Sequence, residues 1–124
     1  MTRMTDIDTK LQRDIPAIRV VHERLTLNAA ALRLLEITPG KHRIVIRHDI
    51  DHLASHREFS IWIGKSNTEG YLLKRKGHIV RINSVTLCQK LACYLSGYAT
   101  YRIEEQPLVI GDTTYYRINP KASL

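Results

Sequence analysis

The sequence predicts a β-rich α+β fold: two ββαβ(β) repeats forming an interleaved, barrel-like core with two short helices. Three observations lead there. Short runs such as AIRVV, RLTL, HRIVIRH and HIVRI favour β-branched residues or alternate apolar with polar side chains, the signature of a half-buried strand. Two longer segments, NAAALRLLEI and VTLCQKLACYL, carry apolar residues at helical spacing instead. Third, the element order repeats. With a shift of 55 positions, Leu25, Leu27, Asn28 and Leu32 fall on Val80, Ile82, Asn83 and Leu87. A short apolar strand feeding an Asn-led helix twice at the same phase reads as an internal duplication, residues 17–64 and 72–119. On this reading residues 1–15 form an N-terminal arm, residues 16–119 one compact domain, and residues 120–124 a tail.

Each element has a local reason. AIRVV (17–21) and RLTL (24–27) are strands joined by a tight turn. Asn28 suits a helix N-cap, because its side-chain oxygen accepts from the unpaired N–H groups of the first turn. Ala29–Ala31 have high helix propensity, and Pro39–Gly40 stop the helix. HRIVIRH (42–48) is a strand with Ile44 and Ile46 on one face and Arg43 and Arg47 on the other. EFSIWIG (58–64) puts Phe59, Ile61 and Ile63 on one face and Trp62 on the other, which predicts cover on both sides of that strand. YLLKRK (71–76) and HIVRI (78–82) flank a Lys-Gly turn. Asn83 or Ser84 then caps a helix with Leu87, Leu91 and Leu95 in a stripe. YATYRIEE (98–105) is a strand. PLVI and TTYYRI form a hairpin around Gly111-Asp112.

Composition narrows the function classes. Nineteen Lys and Arg against 12 Asp and Glu give a net charge of +7. Between Tyr71 and Lys90 stand Lys74, Arg75, Lys76, Arg81 and Lys90 without an acid. Such a segment attracts polyanions, since each neutralised phosphate releases condensed counterions. It also serves a plainer end, keeping a sheet soluble and its edge unpaired. No apolar run reaches the roughly 20 residues that span a bilayer. The first 14 residues lack the apolar stretch of a secretion signal, and a cytoplasmic location is expected. Cys88 and Cys93, five apart on a helix, read as reduced, packed thiols. The six tyrosines suit either half-buried sheet positions or stacking on bases.

Residues 24–46, RLTLNAAALRLLEITPGKHRIVI, resemble the core of the AbrB/MazE/SpoVT superfamily of swapped-hairpin DNA-binding domains. Arg24, Leu25, Thr26 and Leu27 stand at its R-I-T-I positions, Leu35 and Ile37 at its helix-end apolar positions, and Pro39-Gly40 at its P-G turn. Glu23 and Asn28 depart from the pattern, replacing a Gly and a Pro. A looser second copy covers residues 76–103. The resemblance implies a small DNA-binding regulator, or an antitoxin-like protein, built as a homodimer. It implies Arg19, His22 and Arg24, with Lys74, Lys76, His78 and Arg81 in the second copy, as the DNA contacts. The alternative is a protein-interaction or assembly module of the same fold. The two differ in whether Arg24, Lys74, Lys76 and Arg81 share one face.

RHDIDHLASH (47–56) raises a metal site, with His48, His52 and His56 as ligands. The three share a face only if the segment is helical, and it joins two strands, so a solvated loop is the expectation, with no cofactor. There is no G-x-S-x-G, P-loop or dinucleotide fingerprint. Glu104 and Glu105 face opposite sides of a strand, unsuited to joint acid–base work. The pattern points away from an enzyme.

Overall fold

The computed structural model describes residues 15–48 and 60–122. Nine strands and two helices follow in chain order: β1 Ala17–Val20, β2 Arg24–Leu27, α1 Ala29–Leu35, β3 Arg43–His48, β4 Ile61–Ser66, β5 Tyr71–Leu72, β6 Lys74–Lys76, β7 Ile79–Asn83, α2 Val85–Tyr94, β8 Thr100–Ile110 and β9 Thr113–Ala122. β9 runs on through Pro120 and Lys121 to Ala122, residues expected to form the tail.

The strands form one antiparallel sheet in the order β5-β3-β4-β9-β8-β1-β2-β7-β6. The two outermost strands, β5 and β6, are consecutive in the chain and separated only by Leu73. That leucine is fully buried, and its carbonyl accepts from the Gly40 N–H at 2.9 Å. The sheet therefore curls into a nearly closed barrel. Gly70, just before β5, lets the chain pass close against β3. It has a φ of 91°, and a Cβ there would lie 2.0 Å from the Ile44 carbonyl oxygen.

The β-rich, barrel-like part of the expectation stands, but the two ββαβ(β) repeats do not. The strands do not sort into two repeat units; they enter a single continuous sheet, with β1 beside β8, β2 beside β7 and β4 beside β9. The elements that the shift of 55 superposes are also unlike. β3 and β4 have 6 residues each, β8 and β9 have 11 and 10. α1 has 7 residues and α2 has 10. Periodicity records which face a residue occupies. It does not record which strand lies alongside, so similar element order suggests a repetition that the sheet does not keep.

Inward side chains fill the barrel. Ile18, Val20, Leu25, Ile44, Ile63, Leu73, Tyr101, Ile103 and Ile118 are all fully buried. α1 contributes Ala31 and Leu35 to this core, and α2 contributes Leu87, Cys88 and Leu91. Asn28 caps α1 as expected and does more. Its Oδ1 accepts from the Ala31 N–H at 2.9 Å and the Ala17 N–H at 3.0 Å, while Nδ2 donates to the Ile15 carbonyl at 2.8 Å. One side chain thus starts the helix and fixes the beginning of β1. Ser84, rather than Asn83, caps α2. α1 ends at Leu35, before Pro39. Glu36 adopts a left-handed φ of 56°, and its N–H and that of Ile37 bond back to Arg33 and Leu32. Pro39 and Gly40 shape the turn that follows. Of the two thiols, only Cys88 is packed; Cys93 is exposed.

Candidate nucleic-acid interface

Directly paired residues of antiparallel strands project to the same face. Arg19 pairs with Thr26, Thr26 with Arg81, and Arg81 with Lys74. These four form a row across β1, β2, β7 and β6 on the outside of the barrel. The alternating residues Ile18, Leu25, Val80 and Ile82 point inward and are buried. Two residues along from Thr26 and Lys74, Arg24 and Lys76 share the same outward side. Arg19, Arg24, Lys74 and Lys76 are exposed and Arg81 is half-buried. At roughly 4.8 Å between strands, the four strands make a face about 14 Å wide.

No Asp or Glu occupies an outward position of β1, β2, β6 or β7; the nearest acid in sequence is the exposed Glu23, in the β1–β2 turn. Among the described residues, none of these five cations forms an ion pair or hydrogen bond through its side chain. Arg102 extends the face: it lies opposite Ala17 on β8, outward and exposed. Sequence reasoning missed it, because only the β1–β8 pairing brings it alongside Arg19.

The two histidines of the expected set sit at turns. His22, between β1 and β2, is exposed; its Nδ1 lies 3.3 Å from the Tyr98 hydroxyl, and the rings meet edge to face at 5.9 Å. His78, between β6 and β7, is exposed and lines a groove of about 500 Å³. Arg19 and Arg24 line the same groove, with Val21, Thr26, Asn28 and Ile79. Lys74, Lys76 and Arg81 lie outside it. The sequence signal for the groove is faint: Ile79 is an apolar residue at an outward strand position, 50% exposed.

The outer surface of β3, β4, β9 and β8 is built otherwise. Val45, Gly64, Tyr115 and Leu108 form one cross-strand row, and Arg47, Trp62 and Arg117 the next. Val45, Trp62 and Tyr115 are buried together with Leu108 packed against them, so Trp62 finds its cover within the chain. Gly64 makes room: a Cβ there would lie 3.0 Å from a Tyr115 ring carbon and 2.9 Å from the Thr114 carbonyl oxygen. The cations here are engaged. Arg47 Nε donates to the Tyr115 hydroxyl at 2.9 Å, Arg47 lies 3.7 Å from Glu69, and Arg117 lies 3.1 Å from Glu104.

His48, the last residue of β3, stacks on Tyr94 at 5.5 Å between ring centroids. His52 and His56, the other two histidines weighed as metal ligands, lie outside the described residues. Among the described residues no three His, Cys, Asp or Glu side chains gather as a metal site. Burial raises the Cys88 thiol pKa, which disfavours the thiolate a nucleophile needs. Among the described residues no helix is long and apolar enough to cross a membrane.

No family model, curated protein or solved structure matches this chain.

Proposed function

We propose that the protein is a small DNA-binding regulator of the cytoplasm, which holds the phosphate backbone against the outer face of β1, β2, β7 and β6. The observation that carries this is the row of unpaired cations on a face without acids. Arg19, Arg24, Arg81, Lys74 and Lys76 have no carboxylate to satisfy them among the described residues, so a polyanion supplies the missing partner. Arginine offers forked donors to phosphate oxygens, and lysine offers a point charge. Cations two apart on one strand and across neighbouring strands form a grid that reads backbone rather than base edges, and so positions more than it specifies.

The test is anisotropy of a labelled random-sequence duplex at about 50 and about 200 mM salt. Five phosphate contacts give a log–log slope near −4.5, a loss of about 500-fold over that range. Absence of binding at the lower salt, or binding indifferent to salt, overturns the reading.

A further inference from the structure

The groove beside Arg19 and Arg24 differs from the rest of the basic face, and we propose that it is a binding site in its own right. Its ligand is a phosphate-bearing small molecule with an uncharged body, of mononucleotide size. At about 500 Å³ the groove has room for a small molecule of that size. Its composition is divided. Two guanidinium groups, on neighbouring strands and without partners among the described residues, supply the anion-binding end. Ile79, level with Ala17 at the end away from Arg24, supplies an apolar wall and is left 50% exposed until something covers it, while Val21 lies beside Arg24. Thr26 adds a hydroxyl and His78 a ring nitrogen for orientation. Asn28 has its Oδ1 taken by the Ala17 and Ala31 N–H groups and one Nδ2 hydrogen by the Ile15 carbonyl, which leaves it a single N–H. Inorganic phosphate would satisfy the arginines and leave the apolar wall bare; a sugar and base fill both.

This site rests on the nucleic-acid reading only in that Arg19 and Arg24 serve both, so a bound nucleotide competes with DNA. Calorimetry on the full chain separates the two, using AMP and inorganic phosphate as probes and a labelled duplex in parallel. AMP is expected to bind one per chain, about tenfold more tightly than phosphate. Arg24→Ala, at an exposed strand position, is expected to weaken AMP about tenfold, the value of a charge-assisted hydrogen bond. Lys74→Ala, on the same face outside the groove, is expected to leave AMP affinity within about twofold. No AMP binding, equal affinity for AMP and phosphate, or equal losses in the two variants overturns the site. AMP binding that depends on Arg24, in a protein indifferent to the duplex, sinks the nucleic-acid reading and leaves the groove standing. Duplex binding without AMP binding does the reverse.

Discussion

The barrel has two outer surfaces that use the same residues to opposite ends. On β3, β4, β9 and β8, Arg47 and Arg117 flank a buried Trp62 in register and are tied to Tyr115, Glu69 and Glu104. Their stems and charges go into covering an aromatic cluster. On β1, β2, β7 and β6, the cations stand over threonine and isoleucine, with no acid among them. An arginine next to a carboxylate is already satisfied. An arginine without one keeps its charge available for a ligand. The positive net charge is therefore less informative than its distribution between these surfaces. The first surface stabilises the fold, and the second is the one on which we place function.

The largest expected effect tests the first surface. Trp62→Ala removes the centre of the outer cluster and should cost about 3–5 kcal/mol, read as a shift in the denaturant midpoint. Duplex affinity of the folded fraction should not change. A small stability loss, or a parallel loss of binding, would mean that the two surfaces are not separable.

The reverse experiment changes charge where nothing is buried. Replacing the exposed Arg19, Arg24 and Lys74 together by Glu should lower duplex affinity by more than about 100-fold at moderate salt. Thermal stability should stay within about 1 kcal/mol, as for exposed sites. A smaller pair of changes sharpens the contrast. Lys74→Ala should reduce the magnitude of the salt slope by about 1 without affecting stability. Glu104→Gln should cost stability by up to about 1 kcal/mol through Arg117 and leave the salt slope alone. Exchange of these two outcomes would invert the assignment of the surfaces.

Much of this contrast is written locally. The alternation in β1, β2 and β7 is enough to set Arg19, Arg24 and Arg81 on the side opposite the buried Ile18, Leu25 and Ile82. Asn28 as a cap is equally legible, although its two further bonds to Ile15 and Ala17 are not. What the chain does not disclose is adjacency. Arg102 reaches the basic face only through the β1–β8 ladder. Tyr115 covers Trp62 only because β4 and β9, separated by some 50 residues, run side by side in one register. Gly64 looks like a weak point in a strand until the Tyr115 ring is seen lying across it. The end of α1 is hidden for a related reason. Proline is a conspicuous stop signal, while a glutamate in the left-handed region leaves no mark in composition. The resemblance to swapped-hairpin domains draws on the same local features, and these cannot distinguish repeated units from a single interwoven sheet.

Leu73 has one further consequence. The first and last strands of the sheet are neighbours along the polypeptide, so the ring is completed by covalent linkage and one carbonyl bond to Gly40 rather than by a full ladder. A rupture of that bond would loosen the girdle without releasing either end, since both remain attached through the same leucine. The seam has a built-in tether: beside the lysines of β6, a single residue fixes how far the two edges can lie apart.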